Sequence, residues 1–98
     1  MKSIEVQVKF LLADDGGREN LPNLCSGTYR PHFVVVGRPK DEYFGVQFIG
    51  QQGLLMPDQE TIATVQLLYC DVDYSPLRKG VVFKIMEGGN KVGTGSVL

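Results

Sequence analysis

The sequence predicts an all-β chain, a small six-stranded antiparallel barrel. Three observations carry that expectation. The dominant period of apolar residues is two, the period of a half-buried strand. No stretch of a dozen residues keeps a 3.6-residue period without an interruption. Clusters of glycine, proline, asparagine and aspartate divide the chain into short strand-like runs. Ninety-eight residues make one domain, 1–98, and closure into a barrel removes the edges that six short strands would otherwise expose.

In chain order, Ile4, Val6, Val8 and Phe10 alternate with polar residues and form the first strand. Residues 29–36, YRPHFVVV, are aromatic and β-branched and form the second, with Pro31 near its start or at an edge. Residues 42–49, EYFGVQFI, are the third, with Gly45 as the candidate bulge. Residues 61–70, TIATVQLLYC, are the fourth, with Ala63, Val65, Leu67 and Tyr69 on one face and Ile62, Thr64, Gln66 and Leu68 on the other. Residues 80–87 place Val81, Phe83 and Ile85 together as the fifth, and residues 91–98 complete six.

The richest glycine stretch, MEGGNKVGTG at 86–95, comes close to a G-x-x-x-x-G-K-[ST] phosphate loop in its spacing. Such a loop opens a helix and carries a lysine where this chain has Thr94, whereas the residues around Thr94 continue as another strand pattern. A tight hairpin at Gly88-Gly89-Asn90 is the better reading, because glycine and asparagine tolerate positive φ. No nucleotide and no other cofactor is expected.

Ten basic and eleven acidic side chains give a net charge of −1, which speaks against nucleic-acid binding by bulk electrostatics. No apolar run is long enough for a membrane helix, and the N-terminal residues enter an alternating pattern without a signal-like apolar block; the expectation is a cytoplasmic protein. Cys25 and Cys70 form no CxxC pair and, with one histidine, build no zinc site. Both are expected as free thiols, Cys70 within an apolar run that reads as core.

Residues 83–97, Gly16-Gly17-Arg18, Tyr29-Arg30-Pro31-x-Phe33 and Met56-Pro57-Asp58 together resemble the C-terminal, third domain of bacterial elongation factor Tu. Phe83-x-Ile85-x-Glu87-Gly88-Gly89-x-x-Val92-Gly93-x-Gly95-x-Val97 resembles that domain's closing hairpin. Gly16-Gly17-Arg18 looks like its glycine-glycine-arginine turn, and Tyr29-Arg30-Pro31-x-Phe33 like its G-Y-R-P-x-F strand. Met56-Pro57-Asp58 looks like its M-P-G-D with the glycine missing. The resemblance spans nearly the whole chain and implies a six-stranded antiparallel barrel. In the family this domain shares aminoacyl-tRNA with two others, one of which holds GTP; that GTPase domain has no counterpart in these residues.

The family's RNA-contacting positions are only partly kept. Arg18 matches, Glu19 replaces a histidine, His32 replaces a glutamine, and Glu87 and Gly88 match while Met86 replaces the arginine before them. The segment between Arg18 and Tyr29 is also longer. Loss of donors and gain of an acid weaken phosphate contact. The function expected is a non-catalytic binding module without GTPase activity, acting on a protein partner or weakly on structured RNA such as tRNA. Its candidate binding residues are Arg18, Arg30, His32, Glu87 and Gly88, with no membrane partner.

Other motifs are weaker. Asp71-x-Asp73-x-Ser75 begins like a calcium loop, but Pro76 stands where the sixth-position glycine belongs and Val82 where the glutamate belongs. Asp14-Asp15 and Asp41-Glu42 read as surface turns, although a small enzyme built on such a pair, or on His32 as a general base, is the alternative from another class. A third is a mimic that competes for elongation-factor partners. Arg30, Arg38 and Lys40 suggest a basic patch, but alternation turns Tyr29 and Phe33 toward the core.

Overall fold

The computed structural model describes residues 2–98. Six strands make one antiparallel sheet: β1 (Ser3–Phe10), β2 (His32–Val35), β3 (Phe44–Gln52), β4 (Glu60–Leu67), β5 (Val82–Glu87) and β6 (Asn90–Val97). They are ordered β1-β4-β3-β2-β5-β6, and β6 pairs back onto β1, so the sheet closes into a ring. A 3-10 turn, Ala13–Asp15, follows β1. Among the described residues no helix is long and apolar enough to cross a membrane.

The period of two is realised in the core. Val6, Val8 and Phe10 of β1, Ala63, Val65 and Leu67 of β4, and Phe83 and Ile85 of β5 are buried inside the ring. Four phenylalanines fill its centre: Phe33 stacks on Phe83 with centroids 3.9 Å apart and meets Phe48 edge-on at 5.9 Å, while Phe44 extends the cluster. Arg30 is exposed while Tyr29 and Phe33 turn inward, as alternation predicts.

The glycines of 86–95 serve two purposes. Glu87 pairs with Asn90, leaving Gly88-Gly89 as a two-residue hairpin turn with φ 60° at Gly88. Gly93 and Gly95 instead make room. Across β1, β6 and β5 the register reads Val8–Gly95–Phe83 and Phe10–Gly93–Ile85. A Cβ at Gly95 would lie 2.6 Å from the Gln7 carbonyl oxygen and 2.7 Å from Phe83 Cζ. The small residue lets the large ring across from it lie flat against the wall.

Four local expectations need correction. β2 begins at His32, not at residue 29: Pro31 has no N–H to complete the ladder, although the Tyr29 and Pro31 carbonyls still accept from Phe48 and Val46 at 3.0 and 3.2 Å. The irregularity in β3 falls between Phe48 and Gly50, not at Gly45. Gly45 is instead the floor under the Tyr69 ring, whose Cε2 would be 2.4 Å from a Cβ there. β4 ends at Leu67, so Tyr69 leaves the sheet and Cys70 is exposed, not core.

Candidate binding face

At one end of the ring, three elements converge on Tyr29. Its ring stacks on Phe48 at 5.6 Å and tilts against Phe10 at 6.1 Å, so the aromatic body belongs to the core. Its hydroxyl reaches outward and donates to Glu87 Oε2 at 2.6 Å. Arg18, delivered by the turn after β1, ion-pairs with the same Glu87 oxygen. The Arg18 Nε donates to the Asn20 carbonyl at 2.9 Å, and its guanidinium carbon stands 5.2 Å from the Tyr29 ring centroid. About a third of each ionic side chain remains exposed, 33% for Arg18 and 32% for Glu87.

The electrostatics follow from this geometry. The hydrogen bond to Glu87 raises the Arg18 pKa above its ordinary value and holds the guanidinium charged. Burial, reinforced by the hydrogen bond to Glu87, pushes the Tyr29 phenol well above its ordinary 10.0 and holds it neutral. The result is a cation and an anion seated on a neutral aromatic base, a clamp between the chain after β1 and the β5–β6 hairpin.

The structure therefore brings Arg18 and Glu87 together, with Gly88 adjacent and exposed. Arg30 and Gly88 each lie two residues beyond the paired positions His32 and Met86, and Arg30 is exposed with no ion pair among the described residues. His32 stands apart: half-buried on the outer face, its ring meets Tyr43 edge-on at 5.7 Å. Met86, where the resemblance has arginine, is 8% exposed and pairs with His32 across the β2–β5 ladder. The segment between Arg18 and Tyr29 is anchored by Leu24, which is completely buried, and by Gln47, whose amide donates to the Gly27 carbonyl at 2.6 Å.

The remaining motifs resolve into local structure. Asp73 Oδ1 accepts from the Ser75 N–H at 3.0 Å, and this backbone hydrogen bond lowers the carboxyl's pKa; the calcium-like spacing is a turn. Arg38 pairs with Glu42, and Asp14 and Asp15 lie exposed on the 3-10 turn. Among the described residues no three of His, Cys, Asp and Glu gather closely enough to hold a metal ion.

One residue and one cavity lie beyond what the sequence indicates. Alternation assigns Tyr29 to the core alone, whereas its hydroxyl finds a partner 58 positions away. At the opposite end of the ring, residues from three distant segments, Lys2 and Ile4, 67–79, and Val97-Leu98, line an open groove of about 760 Å³. Its only signal in the sequence is the apolar run at 67–70, which continues past the point where the strand ends.

No protein-family model matches this chain, and neither does any curated protein sequence.

Proposed function

We propose that this chain is a non-catalytic binding module on the scaffold of an elongation factor Tu third domain, engaging a protein partner, or weakly a structured RNA, through the face around Arg18, Arg30, Glu87 and Gly88. The observation that carries the reading is the meeting of Arg18 and Glu87, 69 positions apart, at one end of the ring beside the exposed Gly88 turn. A second feature supports the scaffold. Asp58 is the only non-glycine residue at positive φ among those described, at 60°, so the left-handed backbone that a glycine favours falls within the Met56-Pro57-Asp58 segment that resembles M-P-G-D with the glycine missing.

The clamp also ranks the two partners. A phosphate approaching Arg18 has to compete with Glu87, whose carboxylate already occupies the guanidinium and adds repulsion. Arg30 alone is uncommitted on this face, and one free arginine gives little counterion release. A protein surface with a carboxylate opposite Arg30 suits the geometry better than an RNA backbone.

A titration against aminoacylated and bare tRNA at low and near-physiological salt tests the RNA arm. Saturable binding that weakens with salt and falls in Arg30→Ala supports it. Photo-crosslinking from position 30 in cells tests the protein arm, with a defined adduct lost in Glu87→Ala as the supporting result. Failure of both sinks the proposal.

A further inference from the structure

The groove at the far end of the ring is unlike the clamp in every respect. Its walls are apolar: Ile4, Leu67, Val72, Tyr74, Leu77 and Val97 contribute, and Tyr69 and Leu98 remain about half exposed at 50% and 47%. Three cations, Lys2, Arg78 and Lys79, stand at the same groove, and none of them forms an ion pair among the described residues. Asp73 is the one acid among its lining residues, and its Oδ1 is engaged by the Ser75 N–H. Three of the chain's ten basic residues and one of its eleven acids thus line one groove, a local excess of two positive side-chain charges in a chain of net charge −1.

The groove is also held open by hydrogen bonds that do not depend on an occupant. The Tyr74 hydroxyl donates to the Gly45 carbonyl at 2.6 Å and accepts from the Tyr69 N–H at 3.2 Å, pinning the 68–74 wall to β3. Leu67 N–H donates to Lys2 O, Leu98 N–H to Glu5 O, and Gly80 N–H to Val97 O, at 2.8–3.0 Å, fixing the other walls. A preformed, largely apolar groove of this size with a few charged groups at its walls has the form of a small-ligand site.

We infer that this groove binds a small amphipathic monoanion, a medium-chain carboxylate in chemical class, with its apolar chain along Tyr69, Val72 and Leu77 and its carboxylate toward Arg78 and Lys79. The site is independent of the face proposed above.

Octanoate is the probe, with octanol as its neutral counterpart. Calorimetric titration is expected to show saturable one-site binding of octanoate. The double variant Arg78→Gln/Lys79→Gln, with an unchanged circular dichroism spectrum, is expected to bind about tenfold or more weakly. Both cysteines are exposed and free, and only Cys70 lines the groove, so octanoate is expected to slow alkylation of Cys70 and leave Cys25 unaffected. Arg18→Ala leaves octanoate affinity unchanged. Octanol binding as tightly as octanoate, equal protection of both cysteines, or no saturable binding would each overturn the inference.

Discussion

Arg18 and Arg78 occupy opposite ends of one small ring and are treated in opposite ways. At the Arg18 end, charge is consumed internally: guanidinium, carboxylate and phenol satisfy one another, and what remains at the surface is a neutralised, partly exposed clamp. At the Arg78 end, three cations surround apolar side chains and find no carboxylate within ion-pair distance among the described residues. The first arrangement stabilises a long connection against a hairpin. The second does nothing for the fold, since unpaired surface cations contribute little to stability. Arg18, singled out by motif resemblance, thus acts as a fastener, while the uncommitted chemistry sits where the motifs do not point.

The strongest way to break this contrast is to break the wall that both ends share. Gly95→Ala puts a methyl group 2.6 Å from a backbone oxygen and 2.7 Å from the Phe83 ring, and is expected to cost about 3 kcal/mol. Chemical denaturation would read this, and clamp and groove should be lost together in one transition. Tyr29→Phe separates the ends. Removing a hydroxyl that donates to a carboxylate should cost about 2 kcal/mol at neutral pH while leaving octanoate affinity as it was.

The same variant has a pH signature. The folded Tyr29 pKa lies above the unfolded value of 10.0, so its contribution is fully present below pH 10 and declines as pH rises beyond it, because only the unfolded phenol can ionise there. Wild-type stability should therefore fall above pH 10 more steeply than that of Tyr29→Phe. The smallest expected effect is a gain. Asp58 donates its N–H to the Phe10 carbonyl at 2.8 Å, next to the clamp, and holds its left-handed backbone without a glycine. Asp58→Gly should raise stability by about 1 kcal/mol, visible as a higher Tm, and Asp58→Ala should lower it.

Much of the fold was legible because alternation is a local property. Val6, Val8 and Phe10, or Ala63, Val65 and Leu67, declare a face without reference to the rest of the chain. The hairpin at Gly88-Gly89 was legible for the same reason. The misplacements at Pro31, Gly45 and Cys70 share a different cause: each depends on what another strand or loop does. A missing N–H matters only opposite β3, and Gly45 is small because Tyr69 lies on it. The candidate face was half legible, since motif resemblance singled out Arg18 and Glu87 but not that they neutralise each other over Tyr29. The groove was illegible, because Lys2, Arg78 and Leu98 become neighbours only through ring closure.

That closure sets an order of events in time. β1 takes its two neighbours from residues 60–67 and 90–97, so this strand has no partner in the ring until residues 60–67 have followed it, and its second partner is the sixth strand of the ring. As the chain leaves the ribosome, Val6, Val8 and Phe10 form an unpaired amphipathic ribbon with both flanks open, the state most exposed to mispairing with another nascent copy. The ring can be sealed only once residues 90–97 have emerged, when β6 slides between β5 and the waiting β1.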